Sequence, residues 1–166
     1  LWLAWNETGL AVRGLARGVG SSRWCHLTRA EDSDGLHLWI ATRPTGASHR
    51  AGRFCQRLAL LPTGGGRLAD QPVAVAAVIP RTSELPAELP AEAVLIESAA
   101  TADGWRIDAF VSAAALPGWD PLELPRLGFC AALVDRRLGR IPWSSPPEYP
   151  WDSDPTTWME LELMAK

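Results

Sequence analysis

Apolar residues along this chain recur at every second position in short runs, and each run is closed by Gly, Pro, Asp or Asn. A period of two belongs to strands that bury one face, and the i, i+3, i+4 spacing of a long amphipathic helix is nowhere sustained. The pattern predicts strands over 1–5 and 10–16, joined through Asn6-Glu7-Thr8-Gly9, and a third over 36–42 after the turn Asp32-Ser33-Asp34-Gly35. Strands over 54–61 and 73–79 follow, with Pro62-Thr63-Gly64-Gly65-Gly66 between them as a flexible loop. Residues 93–99 and 105–111 form the clearest hairpin, one helical turn is expected at 112–116, and strands over 126–134 and 157–163 close the chain. Residues 82–90, with Pro86 and Pro90, read as an extended linker inside one domain, because neither half alone would keep enough strands for sheet packing. Roughly nine or ten strands spaced in this way predict an all-β fold, a two-sheet antiparallel, jelly-roll-like β-sandwich in which residues 1–166 are a single domain.

Alternation also assigns faces. Leu36, Leu38 and Ile40 share one side of their strand, while His37, Trp39 and Ala41 share the other, and Cys55 and Arg57 face the same way on the next strand. A pocket lined by His37, Arg57 and a flanking tryptophan is therefore a candidate ligand site. Trp143 and Trp151 lie in the proline-rich stretch 141–151, where aromatic rings are expected at an exposed edge. Trp2, Trp5, Trp105 and Trp158 fall within strand patterns and are expected to be structural.

Composition sharpens this picture. The chain has nine tryptophans in 166 residues against three Phe and one Tyr, and Trp alone joins a broad apolar face to an N–H donor. About five or six of them are expected to serve packing, with the rest left for recognition. Net charge is −3 with scattered basic residues, so no footprint for nucleic acid is visible, and no apolar run is long enough for a membrane-spanning helix. Cys25, Cys55 and Cys130 are too few for a disulfide framework and allow at most one pair. Cys25, His26, His37, His49 and Cys55 match no zinc spacing, the glycine run lacks the lysine of a phosphate loop, and no Gly-x-Ser-x-Gly or His-Glu-x-x-His occurs. The expectation is a binding domain rather than an enzyme, with no metal and no cofactor. The chain opens directly in Leu1-Trp2-Leu3-Ala4-Trp5, which reads as a segment of a longer multidomain protein whose neighbouring domains are expected partners.

Four stretches resemble the family-9 carbohydrate-binding modules and the wider DOMON-like sandwiches: residues 3–12, residues 34–40 (Asp-Gly-Leu-His-Leu-Trp-Ile), residues 107–116 with 126–135, and residues 154–163 (Asp-Pro-Thr-Thr-Trp-Met-Glu-Leu-Glu-Leu). They occur in the family's order and together span most of the chain. The resemblance implies a non-catalytic module that takes a saccharide or small polar ligand between aromatic rings, and it favours an extracellular or periplasmic setting. It places His37 where the family often has a sugar-binding glutamate and Met159 where it usually has glycine. The family's tryptophan before the aspartate is replaced by Glu31 or shifted to Trp24. The candidate ligand-binding set is thus Trp24, His37, Arg57, Trp143 and Trp151. The alternatives are a structural or interaction sandwich without a sugar site and, with Met159 or Met164 as axial ligand, a DOMON-type haem module.

Overall fold

A computed structural model describes residues 1–20, 23–44, 46–84 and 88–164, so residues 85–87 of the expected linker lie outside the described residues. The strands are β1 (Trp2–Asn6), β2 (Gly9–Arg17), β3 (Gly35–Ala41), β4 (Cys55–Gly65), β5 (Gln71–Ala77), β6 (Val94–Thr101), β7 (Gly104–Ser112), β8 (Arg126–Asp135), β9 (Gly139–Pro142) and β10 (Met159–Glu162). They form two antiparallel sheets, one in the order β1-β2-β7-β6 and the other β10-β8-β3-β4-β5, with β9 also paired to β8. The two-sheet sandwich expected from period-two alternation is the fold.

Two boundaries differ from the sequence reading. β4 continues through Pro62 to Gly65 across an irregularity after Leu61, so part of the expected glycine loop is strand. Gly139–Pro142 adds a short strand where only loop was expected; its register on β8 pairs Ile141 with Leu133 and Arg140 with Val134. The helical turn expected near 112–116 is a short 3-10 segment at Ala113–Ala115, and a second, Leu27–Asp32, precedes β3.

Between the sheets lies the main core, built from Leu10 and Val12 of β2, Leu36, Leu38 and Ile40 of β3, Leu58 and Leu60 of β4, Ile107 and Val111 of β7, and Leu127 and Phe129 of β8. Fully burying each such side chain contributes about 1.5–3 kcal/mol, which makes this interface the principal stabiliser of the fold. Close approach is built in at Gly35, where an added Cβ would stand 2.5 Å from the Leu60 carbonyl oxygen.

The two sheets differ on their outer sides. On the four-stranded sheet that side is open and carries Trp2, Arg13, Asp108 and Glu97 in one cross-strand row. Asp108 pairs with Arg13 and with Arg106 at 2.7 Å, and the hydrogen bond from Arg13 leads the effects that hold its carboxyl below the ordinary range. The six-stranded sheet instead carries a second apolar layer of Trp39, Ala41, Ala51, Ile79, Cys130, Ala132, Trp151 and Trp158, so all seven residues of β3 are buried. A smaller cluster of Ala30, Ala59 and Leu61 continues that layer beneath the 3-10 segment.

Candidate functional site

The expected grouping of His37, Arg57 and a tryptophan does form, but inside the protein. His37 and Arg57 are 0% and 1% exposed, under a cover made by residues 27–32 and the segment around Trp151 and Asp152. The Arg57 guanidinium lies 4.7 Å from the Trp39 ring centre and donates to the carbonyls of Glu31 and Val78, both at 3.1 Å. It also faces His37 Nδ1 at 3.2 Å, while His37 Nε2 sits 3.0 Å from the Ser33 carbonyl. A guanidinium can only donate and a carbonyl can only accept, so this arrangement assigns the proton of a neutral imidazole to Nε2 and the lone pair to Nδ1. Burial, with the charge of Arg57 adding to it, pushes the His37 pKa down to about 3. Burial likewise lowers Arg57 to about 10.

Indole N–H groups fasten the cover. Trp39 Nε1 donates to the Asp152 carbonyl at 3.1 Å, Trp158 Nε1 donates to the Trp151 carbonyl at 2.8 Å, and the Trp39 and Trp151 rings meet edge-to-face at 5.2 Å. Arg140 ties the two parts of the cover together by reaching Asp152 at 3.4 Å and the Glu31 carbonyl at 3.3 Å. Trp151 is therefore packed rather than displayed, because the loop that carries it folds down onto the second apolar layer.

The other candidates stand apart. Trp24 is half-buried, with the guanidiniums of Arg29 and Arg136 at 5.1 and 5.4 Å from its ring and the His26 ring at 4.8 Å. Trp143 is exposed and lines a cleft of about 180 Å³ at the sandwich edge with Leu1, Trp105 and Ile141. Among the tryptophans expected to be structural, Trp105 and Trp158 are buried and Trp5 is partly buried, whereas Trp2 is 58% exposed because it stands on the outer side of edge strand β1.

A second concavity, of about 700 Å³, opens beside this layer where the chain leaves β3 and returns to β4. Arg43, Arg50, Arg53 and Phe54 of the connection form one wall, and Pro155, Thr156, Trp158 and Glu160 of the closing segment form another. The connection is pinned at its base: Thr42 N–H donates to the Phe54 carbonyl at 3.0 Å, and Ser83 N–H donates to the Ala51 carbonyl at 2.9 Å. Gly118, at φ +75°, gives the Phe54 ring room, since a Cβ there would meet it at 2.7 Å. His49 Nδ1, 2.8 Å from the Asp154 carboxylate, links the connection to the closing segment.

This cavity is lined by two aromatic side chains, Phe54 and the buried Trp158, by guanidinium donors, by the hydroxyls of Ser48, Ser83 and Thr156, and by the carboxylates of Glu84 and Glu160. Donors, acceptors and rings in one open hollow suit a polyhydroxylated ligand. Tryptophan count and strand alternation did not single it out. A signal was present in the charge pattern: from Gly35 to Ala69 the chain contains five arginines and no acidic residue.

No family model matches the chain, and no curated protein does. Solved structures do. A family-9 carbohydrate-binding module from Caldicellulosiruptor kristjanssonii in complex with cellotriose superposes with a TM-score of 0.69 at 11% identity, over 99% of this chain and 73% of that one. A second structure described as a family-9 module of that organism, in complex with glucose, gives 0.56 at 13% identity, over 99% and 75%. The fold of this chain is that of the family-9 carbohydrate-binding modules.

Proposed function

We propose that this chain is a non-catalytic carbohydrate-binding module whose ligand enters the hollow between the β3–β4 connection and the closing segment. The observation that carries the reading is the set of groups meeting there: Phe54 and Trp158 beside three guanidiniums, hydroxyls and two carboxylates. A pyranose presents C–H faces that pack on rings and a rim of hydroxyls that need both donors and acceptors. The likeness in fold to modules solved with cellotriose and glucose supports the same reading. Such a module acts by holding whatever it is joined to near a glycan, which raises effective concentration without chemistry.

The test is calorimetric titration of the chain with neutral and acidic oligosaccharides derived from plant and microbial glycans, with intrinsic emission as a second readout because Trp158 lines the hollow. Saturable binding that weakens in Arg53→Ala and persists in Arg17→Ala is expected. Silence across the whole set refutes the proposal.

A second reading places the ligand over His37, Arg57 and Trp151 once the cover lifts, without Trp24 and Trp143, which stand apart. It is favoured by one observation: the buried Nε of Arg57 has no hydrogen-bond partner. Under that reading Trp151→Ala, not Arg53→Ala, abolishes binding.

A further inference from the structure

We infer that the ligand of this hollow is an acidic saccharide, one that carries a carboxylate or sulfate group; the inference rests on the reading just given. Arg43, Arg50 and Arg53 all line the cavity, and none of the three has a carboxylate partner among the described residues. The guanidiniums of Arg43 and Arg53 lie 4.7 and 4.6 Å from the centre of the same Phe54 ring, so the two cationic centres are within about 9 Å of one another. Three guanidiniums against the two carboxylates of Glu84 and Glu160 leave the lining net positive, and an anionic group that meets the arginines gains Coulombic attraction, most at low salt. Contact with the ring also restrains the guanidiniums, which limits the entropy lost when their N–H groups engage a planar carboxylate or an oxyanion.

The surroundings separate an acidic sugar from a bare anion. Glu84 and Glu160 lie on the same lining, and Glu160 is already engaged with Arg126 at 3.2 Å. These carboxylates repel a small free phosphate, whereas the hydroxyls of a sugar ring can donate to them while its acidic group faces the arginines. The hollow is also far larger than one phosphate requires. On a chain of net charge −3 the arginine wall is a local basic patch rather than part of a general positive field.

The experiment is calorimetry on the full chain with a galacturonate trisaccharide, its neutral methyl ester, a sulfated galactan trisaccharide and inorganic phosphate, at low and at moderate salt. At least one acidic trisaccharide is expected to bind about tenfold or more tightly than the neutral ester, with that advantage shrinking as salt rises. The tighter of the two acidic sugars identifies the anion. Arg53→Gln is expected to remove about tenfold of the acidic affinity and to leave the neutral sugar unchanged, while Arg17→Gln, an exposed substitution on the other sheet, changes neither. Equal binding of acid and ester overturns the inference and leaves the saccharide module standing. Binding of no sugar overturns both. Phosphate binding as tightly as the acidic trisaccharide, or equal losses in Arg53→Gln and Arg17→Gln, overturns the acidic-saccharide assignment.

Discussion

Trp151→Ala asks whether the outer layer of the six-stranded sheet is architecture or a ligand surface. Trp151 is 7% exposed and meets Trp39 edge-to-face at 5.2 Å, while the bond from Trp158 Nε1 ends on its backbone carbonyl and survives the substitution. Burying a tryptophan removes about 150–250 Å² from water, which at about 25 cal/mol per Å² sets an upper bound of roughly 4–6 kcal/mol. Truncating a buried Trp to Ala typically costs about 3–5 kcal/mol, depending on how far the site can collapse. Here one wall is a loop that can settle into the space, so the expected loss is about 3 kcal/mol. For a domain of this size that lowers Tm by roughly 6–12 °C, readable by scanning calorimetry without relying on indole emission. Saccharide affinity, measured well below the new transition, is expected to be unchanged. A fall in Tm below about 2 °C, or loss of binding with stability intact, would refute the structural role.

Stability should also depend on pH through His37, whose pKa is about 3 in the folded protein against 6.5 for an ordinary imidazole. Between those values the unfolded chain binds the extra proton, so stability is full above about pH 6.5 and falls as pH drops toward 3, by up to about 1.4 kcal/mol per unit. His37→Gln, which can still donate to the Ser33 carbonyl and accept from Arg57, should flatten that decline between about pH 6.5 and 4.5 in urea unfolding. An unchanged slope would show that His37 does not carry it. Gly35→Ala should cost about 1–3 kcal/mol, because its Cβ meets the Leu60 carbonyl at 2.5 Å. Gly52→Ala, with only Ser83 Oγ nearby at 3.6 Å, should fall within about 0.5 kcal/mol. Equal effects at the two glycines in chemical denaturation would contradict the packing assigned to β3 and β4.

Period-two alternation carried most of the architecture, because strands that bury one face against a partner sheet advertise it directly. What alternation does not tell is what covers the other face. His37, Trp39 and Ala41 stand on the side opposite Leu38, yet whether that side meets solvent or a second layer depends on the 3-10 segment at 27–32 and on remote residues such as Trp151 and Trp158. A hint lay in Leu58-Ala59-Leu60-Leu61 and Phe129-Cys130-Ala131-Ala132-Leu133, which are apolar without interruption, as strands covered on both faces tend to be. β9 is not legible in the sequence because four residues ending in Pro142 leave too short a pattern. The arginine-lined hollow is assembled from separate segments, the β3–β4 connection, residues 83–84 and the closing segment, whose meeting no local pattern announces.

The pairing order of the sheets governs how the chain can fold as it is made. β3 is completed on one side by nearby β4 but on the other only by β8, and β2 waits for β7, with Arg13 and Asp108 standing 95 positions apart. Neither sheet can close until the second half of the chain is present. Such remote pairings slow folding and leave hydrogen-bonding edges bare in the interim. The apolar rows of β3 and β4 are thus the parts of a nascent chain most in need of shielding until β8 arrives.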